Sequence, residues 1–269
     1  MNPIDALFQQ LRSQGRKAFM PFVTAGDPDV DFTRELIPAV AEAGANLIEV
    51  GFPFSDPIAD GPVIQASYTR ALDKQLKLAD VFSAVSDVTG RPGWTTPLVA
   101  MASYSLLFKK GPSRFIEQAR ASGLSGAVVP DLPVEEAEDL SKLAADRDFK
   151  LILLVTPTTS PARAEKVVKA CSGFVYVVSV VGITGERDRL PVQLSEQIAR
   201  LRRMTNLPLC VGFGVSKTEH VRGLKDLADG VIVGSALVKK LEAAASPPGR
   251  AKSLSDVKSL VKELSAALM

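Results

Sequence analysis

Short apolar runs rich in β-branched residues alternate with amphipathic segments along the whole chain, and this alternation limits the folds available to it. Most of the runs are nearly continuous in apolar residues, which is typical of parallel strands covered on both faces. Eight such strands separated by helices in about 250 residues fit one (β/α)8 barrel, whereas a doubly wound sheet usually needs fewer strands. The runs are Ala18–Thr24, Asn46–Val50, Pro97–Met101, Gly126–Val129, Lys150–Val155, Phe174–Val178, Pro208–Val211 and Gly230–Val233.

The segments between the runs follow the helix period, as in Phe32–Ala43, where apolar residues recur three and four positions apart. The pattern predicts an extra helix at Ile4–Gln14 and another at Ser253–Leu268, after a short linker at Ser246–Arg250. Because no composition shift divides the chain, we expect residues 1–269 to form a single α/β domain, a (β/α)8 TIM barrel with additional N-terminal and C-terminal helices. The other predicted helices are Pro133–Asp146, Pro161–Ala170, Val192–Met204 and Ser216–Leu227.

Composition argues against several classes of protein. The 32 Lys and Arg residues are interspersed with 30 Asp and Glu residues, so we expect no concentrated basic surface for nucleic acid. Two cysteines, Cys171 and Cys210, and one histidine cannot build a zinc signature, so no metal is expected. The N-terminus lacks a signal-peptide pattern, and the longest apolar stretch, Phe174–Ile183, is shorter than the ~20 residues of a membrane span. The sequence therefore predicts a cytoplasmic protein that is not bound to a membrane.

Glu49 is the only charged residue in the second apolar run. Strand alternation puts Ile48 and Val50 on one face and Leu47 and Glu49 on the other. If the first pair faces the helices, Glu49 points into the mouth of the barrel, where desolvation would raise its pKa and suit it to acid/base chemistry. A paired structural carboxylate is the alternative.

The segment that follows this run, residues 51–62, contains three prolines and two glycines and therefore predicts a long, shaped loop. In barrels of this kind the functional loops follow the C-terminal ends of the strands. Asp56 and Asp60 in this loop are candidates for turn-forming or capping residues, and one of them could instead complete an acid/base pair with Glu49. Their spacing does not choose between them.

Glycine-bearing loops follow the last three strands: Gly182–Gly185, Gly212–Gly214 and Gly234-Ser235. Glycine lets backbone N–H groups approach an anion closely, and barrels often bind phosphate after strands seven and eight, so these loops predict a phosphate site. Ordinary tight turns are the alternative. The polar segment 185–191 predicts a lid, or else a solvated loop, and His220 is expected to be a surface or helix-packing residue.

Five segments resemble the tryptophan synthase alpha chain family, and the resemblance extends over nearly the whole chain. Residues 49–65, which read EVGFPFSDPIADGPVIQ, form the longest and most specific of them; the others are Thr24–Pro28, Asp131–Pro133, Gly182–Gly185 and Gly212–Val215. The resemblance implies a (β/α)8 lyase that cleaves indole-3-glycerol phosphate to indole and glyceraldehyde 3-phosphate by a retro-aldol reaction, without cofactor or metal.

The resemblance also implies residue roles. Glu49 would protonate the indole ring at C3 and help to deprotonate the glycerol hydroxyl, and Asp60 would hydrogen-bond the indole N–H, which chooses Asp60 over Asp56. By the same resemblance, Phe22, Tyr104 and Phe213 form walls of the pocket, Tyr176 contacts the catalytic glutamate, and Thr184 engages Asp60 when the lid closes. The implied phosphate cradle comprises Gly185, Gly214, Gly234 and Ser235.

The family's usual partner is a pyridoxal phosphate-dependent beta chain, which receives indole in an α2β2 complex. The resemblance places Pro53, Asp56 and the loop after the third strand in the docking region. Members commonly carry an aromatic-Asn-Pro run in that loop, whereas this chain retains Tyr104 but has Ser105 and Leu106 in place of Asn and Pro. This departure affects an expected docking hydrogen bond and not the chemistry.

Three alternatives compete with a lyase that works within a synthase complex. One is a free-standing indole-releasing lyase, which would use the same site. Another is a catalytically silent subunit that only activates its partner, and the presence of both Glu49 and Asp60 counts against it. The third is a generic phosphate-binding barrel isomerase, which fold alone would not exclude.

Overall fold

The computed structural model describes residues 1–58, 60–179, 193–212 and 214–269. Within them the chain alternates between nine parallel strands and twelve α-helices, with a short 3-10 turn at Val134–Glu136. The strands are β1 Ala18–Thr24, β2 Ile48–Gly51, β3 Leu98–Met101, β4 Leu124–Val128, β5 Lys150–Ile152, β6 Leu154–Val155, β7 Val175–Val178, β8 Leu209–Gly212 and β9 Gly230–Val233. The helices are α1 Pro3–Ser13, α2 Val30–Glu42, α3 Pro62–Asp73, α4 Leu78–Thr89, α5 Tyr104–Lys110, α6 Pro112–Ala121, α7 Ala137–Ala145, α8 Pro161–Ala170, α9 Gln193–Arg202, α10 Thr218–Leu224, α11 Ser235–Lys240 and α12 Pro247–Ala266.

The strands form one parallel sheet in the order β5-β4-β3-β2-β1-β9-β8-β7-β6, which closes into a barrel. The closing segment is the fifth predicted run, which the structure divides at Leu153 into β5 and β6. β5 pairs with β4 on one side and β6 pairs with β7 on the other, so a single run of chain joins both edges of the sheet. The (β/α)8 barrel is confirmed, and the doubly wound alternative is wrong because that sheet stays open.

Two apolar layers hold the barrel together, and strand alternation decides which layer each residue joins. The outer layer lies between the strands and the surrounding helices and includes Ile48 and Val50 of β2. The inner layer fills the barrel and includes Leu47 of the segment leading into β2, together with Val99, Val128, Ile152, Tyr176, Cys210 and Ile232.

The N-terminal helix closes the floor of the barrel. Ile4, Phe8 and Leu11 lie on one face of α1 and pack into the inner layer, with the Phe8 ring centroid 6.0 Å from that of Phe174. The side chain of Asn2 caps this helix by accepting a hydrogen bond from the Ile4 N–H at 3.0 Å. The predicted N-terminal helix therefore serves as the plug beneath the barrel.

The predicted linker at Ser246–Arg250 is wrong, because these residues begin α12. The Ser246 side chain accepts a hydrogen bond from the Gly249 N–H, and Pro247 occupies the first helical position, where a missing N–H costs nothing. The C-terminal helix thus starts six residues earlier than the apolar pattern at Ser253 indicates. In the described part of the chain, none of the helices combines the length and the apolar character that crossing a membrane requires.

Candidate active site

Glu49 lies on the inner face of β2, at the end of the barrel where the strands finish. Its neighbours in register are Phe22 on β1 and Val99 on β3. Ile48 and Val50 face the helices, so alternation leaves the Glu49 carboxyl inside the barrel, where the residue is only 2% exposed. The Oε1 atom of Glu49 has no hydrogen-bond partner among the described residues. A buried, unpaired carboxyl oxygen of this kind requires an explanation, and a ligand is one.

Burial and a nearby negative charge favour the protonated form of the Glu49 carboxyl. Burial raises the pKa of this carboxyl from 4.5 to about 8, and the negative charge of nearby Asp60 adds to the rise. Burial also raises the pKa of Asp60, from 3.8 to about 7, with a further contribution from Asp131. At neutral pH, therefore, Glu49 is mainly protonated while Asp60 exchanges between its two forms. Two buried carboxyl groups whose pKa values are both raised toward neutral pH can gain and lose protons under the conditions of the reaction.

Asp60 is held in a turn just before α3. Its backbone N–H donates to the Pro57 carbonyl at 3.0 Å, and the Gln65 side-chain amide donates to the Asp60 carbonyl at 2.8 Å. Gly61 then caps α3 and Pro62 begins it. The backbone of Asp60 is therefore tied to the first turn of α3 through Gln65 and through the adjoining cap residue Gly61.

Two polar contacts join α3 to β1 and the loop that follows it. The hydroxyl oxygens of Thr24 and Ser67 lie 2.7 Å apart and are both buried. One turn further along α3, the Arg70 guanidinium donates two hydrogen bonds to the carboxylate of Asp27, at 2.9 and 2.6 Å. Burial raises the pKa of Asp27, which is 1% exposed, and the Arg70 charge opposes that rise. These contacts hold α3, and with it Asp60, against the barrel.

A cavity of about 240 Å³ opens at this end of the barrel, and both carboxyl groups line it. Its other described walls are mainly apolar, which suits a planar hydrophobic group beside the two acids. In chain order the described lining residues are Phe22, Glu49, Asp60, Gly61, Val63, Ile64, Met101, Tyr176, Gly214, Val215, Ser216, Ile232, Gly234, Ser235, Ala236 and Lys239.

Two glycines allow aromatic rings to come close to the strands in this cavity. A Cβ at Gly51 would lie 2.3 Å from the Phe22 ring, and a Cβ at Gly212 would lie 2.3 Å from the Tyr176 hydroxyl oxygen. Both aromatic side chains are buried and line the cavity. Burial raises the pKa of Tyr176 well above its usual value, so this phenol stays protonated.

Two of the three loops predicted to bind phosphate contribute residues to the described lining of the cavity. Gly214, Gly234 and Ser235 all line it. Gly234 precedes α11, and a Cβ placed there would lie 3.5 Å from its nearest neighbour, Phe22, which is an ordinary contact distance. The predicted site residues Thr184, Gly185 and Phe213 lie outside the described residues, as does the predicted lid at 185–191.

Tyr104 is placed away from the lining of this cavity. It opens α5, packs against the outer apolar layer and makes a tilted ring contact with Phe108, with the ring centroids 6.0 Å apart. Asp131, from a segment quoted for the resemblance, receives hydrogen bonds from the Tyr104 N–H at 2.7 Å and from the Ser103 hydroxyl at 2.6 Å. Asp131 thereby fixes the start of α5.

Pro53 and Asp56 lie in the loop between β2 and α3. Pro53 is partly buried and Asp56 is exposed. Ile58 in the same loop is 79% exposed, and Phe108 on α5 is 69% exposed, both unusual for large apolar side chains. Asp56 and Asp60 both border a smaller pocket beside Met101, but of the two only Asp60 lines the main cavity, and Asp56 is exposed.

Several cavity residues were missed by the sequence reasoning. Met101 and Ile232 face inward on their strands, and alternation along those runs could have identified them. Ser216, in the loop between β8 and α10, has a buried hydroxyl oxygen with no partner among the described residues. Lys239 lies within α11, so the rule that functional loops follow the C-terminal ends of the strands does not identify it. His220 packs in α10, as expected, and is 3% exposed.

The described residues contain no group of three or more His, Cys, Asp and Glu side chains that could hold a metal ion. The chemistry that the described groups can perform is proton transfer. A protonated Glu49 can donate to an apolar ligand held in the cavity, and an ionised Asp60 can stabilise positive charge that develops on it.

Comparison with known proteins gives a consistent result. The family model described as tryptophan synthase alpha chain matches residues 8–269. The tryptophan synthase alpha chain of Rhodopirellula baltica is 51% identical over 242 residues, which cover 90% of this chain and 87% of the relative. That of a Thermoanaerobacter species is 41% identical over 268 residues, covering 100% of both chains.

Solved structures agree with the sequence comparison. A chain of Mycobacterium tuberculosis tryptophan synthase superimposes with a TM-score of 0.88 at 31% identity, covering 98% of this chain and 97% of the other. The tryptophan synthase alpha chain of Legionella pneumophila gives the same TM-score and identity, covering 100% of this chain and 97% of the other.

Proposed function

The chain belongs to the tryptophan synthase alpha chain family, and from that premise we propose which of its residues carry out the reaction. It is a lyase that cleaves indole-3-glycerol phosphate in tryptophan biosynthesis. The observation that carries the assignment of roles is the Glu49 carboxyl, whose Oε1 has no partner among the described residues, beside Asp60 in a largely apolar cavity.

Glu49 is the acid and then the base of the cleavage. Its raised pKa keeps a proton available at neutral pH, and it transfers that proton to C3 of the indole ring. The resulting carboxylate takes the proton of the glycerol hydroxyl next to the ring. The bond between the ring and the glycerol carbon then breaks, its electrons return to the ring, and indole and an aldehyde are released.

Asp60 stabilises the charged intermediate. Protonation at C3 places positive charge on the indole nitrogen, and an ionised Asp60 accepts the hydrogen bond from that N–H. Phe22 and Phe213 are assigned to the pocket wall, and Tyr176 to contact with Glu49; Tyr104, which is absent from the described lining, is not assigned to it. Thr184, Gly185, Gly214, Gly234 and Ser235 are assigned to lid closure and to the phosphate cradle.

The partner is a tryptophan synthase beta chain, which carries the pyridoxal phosphate, in an α2β2 complex in the cytoplasm. Pro53 and Asp56 form part of the docking surface, beside the exposed Ile58. The support for this separation of surfaces is the exposed position of Asp56, compared with the cavity position of Asp60.

Indole release by the purified chain, with and without a beta chain, tests the proposal. Asp60→Asn should lower cleavage in both conditions, because charge at the indole nitrogen is needed in either. Asp56→Ala should leave the isolated chain nearly unchanged and reduce the stimulation by the beta chain. A deficit of the isolated Asp56→Ala chain as large as that of Asp60→Asn would overturn this division of roles.

The same assay separates the alternatives. A free-standing lyase would reach full activity alone, with no stimulation by a beta chain. A silent activating subunit would release no indole in either condition while still raising beta-chain activity.

A further inference from the structure

The described lining of the cavity contains more acidic side chains than basic ones, although a phosphate group is assigned to it. Among the described lining residues two are acids, Glu49 and Asp60, and one is a cation, Lys239. A phosphate monoester carries a charge of about −2 at neutral pH. The proposed cradle residues Gly214, Gly234 and Ser235 offer backbone N–H groups and a hydroxyl, which are neutral donors. Among the described lining residues, Lys239 is therefore the one that carries a formal positive charge to match the phosphate.

Lys239 lies on the same face of α11 as Ser235. Residues four positions apart in a helix lie one above the other, and side chains lean toward the N-terminus of their helix. Ser235 and Lys239 therefore share one face of α11, and both residues line the cavity. Lys240, the next residue, is also exposed but projects about 100° further round the helix and is absent from the lining.

The Lys239 ammonium is available for a ligand. Within the described residues, it forms no ion pair with a carboxylate. Some other surface lysines are paired, as Lys142 is with Glu138 at 2.6 Å and Lys169 with Glu165 at 2.8 Å. The side chain of Lys239 is exposed, so it does not have to be desolvated before it meets an entering anion.

We propose that Lys239 binds the phosphate group of the substrate, as the cationic complement to the neutral cradle at Gly214, Gly234 and Ser235. The inference rests on the proposed function, which supplies the phosphate. Because the phosphate takes no part in bond cleavage, Lys239 contributes to binding equally in the ground state and the transition state. Its loss should therefore raise KM and leave kcat unchanged.

Three variants of the full chain test the proposal. Lys239→Gln removes the charge, Lys239→Arg keeps it, and Lys240→Gln removes the neighbouring charge from the same helix turn. We expect Lys239→Gln to raise the KM for indole-3-glycerol phosphate by about threefold to tenfold at low salt, with kcat unchanged. The increase should shrink as salt is added, since salt screens exposed charges. Lys239→Arg and Lys240→Gln should stay near the wild-type KM.

Titration with inorganic phosphate gives a readout that does not depend on turnover. Lys239→Gln should weaken phosphate binding by a similar factor, while the affinity for indole alone stays unchanged in all variants. Equal KM and phosphate affinity in Lys239→Gln and Lys240→Gln would overturn the proposal. A wild-type chain that binds phosphate through Lys239 but releases no indole would instead overturn the proposed function, so the two failures are distinguishable.

Discussion

Buried polar side chains at the floor and at the mouth of the barrel differ in whether their hydrogen-bonding groups have partners. At the floor, Asn2 is 2% exposed and fully engaged. Its amide nitrogen donates to the carbonyls of Ser125 and Asp148, at 3.0 and 2.8 Å, and its oxygen accepts from the Ile4 N–H. At the mouth, Glu49 is equally buried, yet its Oε1 has no partner among the described residues.

This difference separates stability from function within one fold. A buried polar group that is fully hydrogen-bonded helps to specify the folded structure, as Asn2 does by tying the N-terminal helix to β4 and to the turn before β5. A buried carboxyl group without partners destabilises the fold and persists where a ligand uses it. Mutations at the floor should therefore change the free energy of unfolding, whereas mutations at the mouth should change substrate binding and catalysis.

The largest effect is expected at Glu49. Glu49→Gln keeps the size of the side chain and removes proton transfer, so indole release should fall by at least the ~10²-fold typical of a general acid/base. The free energy of unfolding should not fall, because the amide replaces a carboxyl that burial disfavours when charged. Kinetics and urea denaturation on the same preparation check both parts. Turnover near that of the wild type would refute the assigned role.

Substitutions at Gly234 test the assigned phosphate cradle. Gly234→Asp places a carboxylate where the phosphate is assigned, and repulsion should raise the KM for indole-3-glycerol phosphate by about tenfold or more. Gly234→Ala is the matched control, because the added Cβ makes only an ordinary contact with Phe22. Indole affinity should change little in either variant. If Gly234→Asp weakened indole and substrate equally, the phosphate would have to bind elsewhere.

At the floor, Asn2→Ala should lower stability and leave catalysis intact. The change removes a helix cap and leaves the buried carbonyl of Ser125 and the partly buried carbonyl of Asp148 without their donor. We expect a loss of about 2 kcal/mol in the free energy of unfolding, measured by urea denaturation. The kcat and KM for indole-3-glycerol phosphate should match the wild type. A comparable loss of activity would show that floor and mouth are coupled.

Many strand and helix bounds could be predicted, because short stretches of sequence determine them. β1 and β9 match their predicted bounds, and α8 matches as well, since Ser160 caps it and Pro161 begins it. The inward direction of Glu49 follows from alternation along one strand. At the C-terminus the same kind of signal was misread, because Pro247 and Pro248 indicate a linker as readily as the first turn of a helix.

Features that depend on contacts between distant segments could not be predicted. Asp27 and Arg70 are 43 positions apart, and nothing in either local pattern indicates their ion pair. Lys239 enters the cavity only because α11 packs beside β1 and α3. The division of one strand at Leu153 likewise reflects closure of the sheet, since this segment must pair with both edges at once.

A change of stability with pH is expected at the mouth alone. In the unfolded chain Glu49 titrates near 4.5, whereas in the folded protein its pKa is about 8. Between these values the folded protein holds a proton that the unfolded chain has lost, so rising pH favours unfolding. The stability associated with this proton is complete below pH 4.5 and is lost as pH rises through 8.

Glu49→Gln has no such proton, so its stability relative to the wild type should increase with pH between 4.5 and 8. The slope approaches at most about 1.4 kcal/mol per pH unit. Glu138→Gln is the matched control: Lys142 lowers the pKa of this exposed carboxyl, which therefore stays ionised above pH 5 in both states. Urea denaturation from pH 5 to pH 8 measures all three proteins. Parallel curves for the wild type and Glu49→Gln would mean that the Glu49 carboxyl is not protonated in the folded protein, and its role as the acid would fall with it.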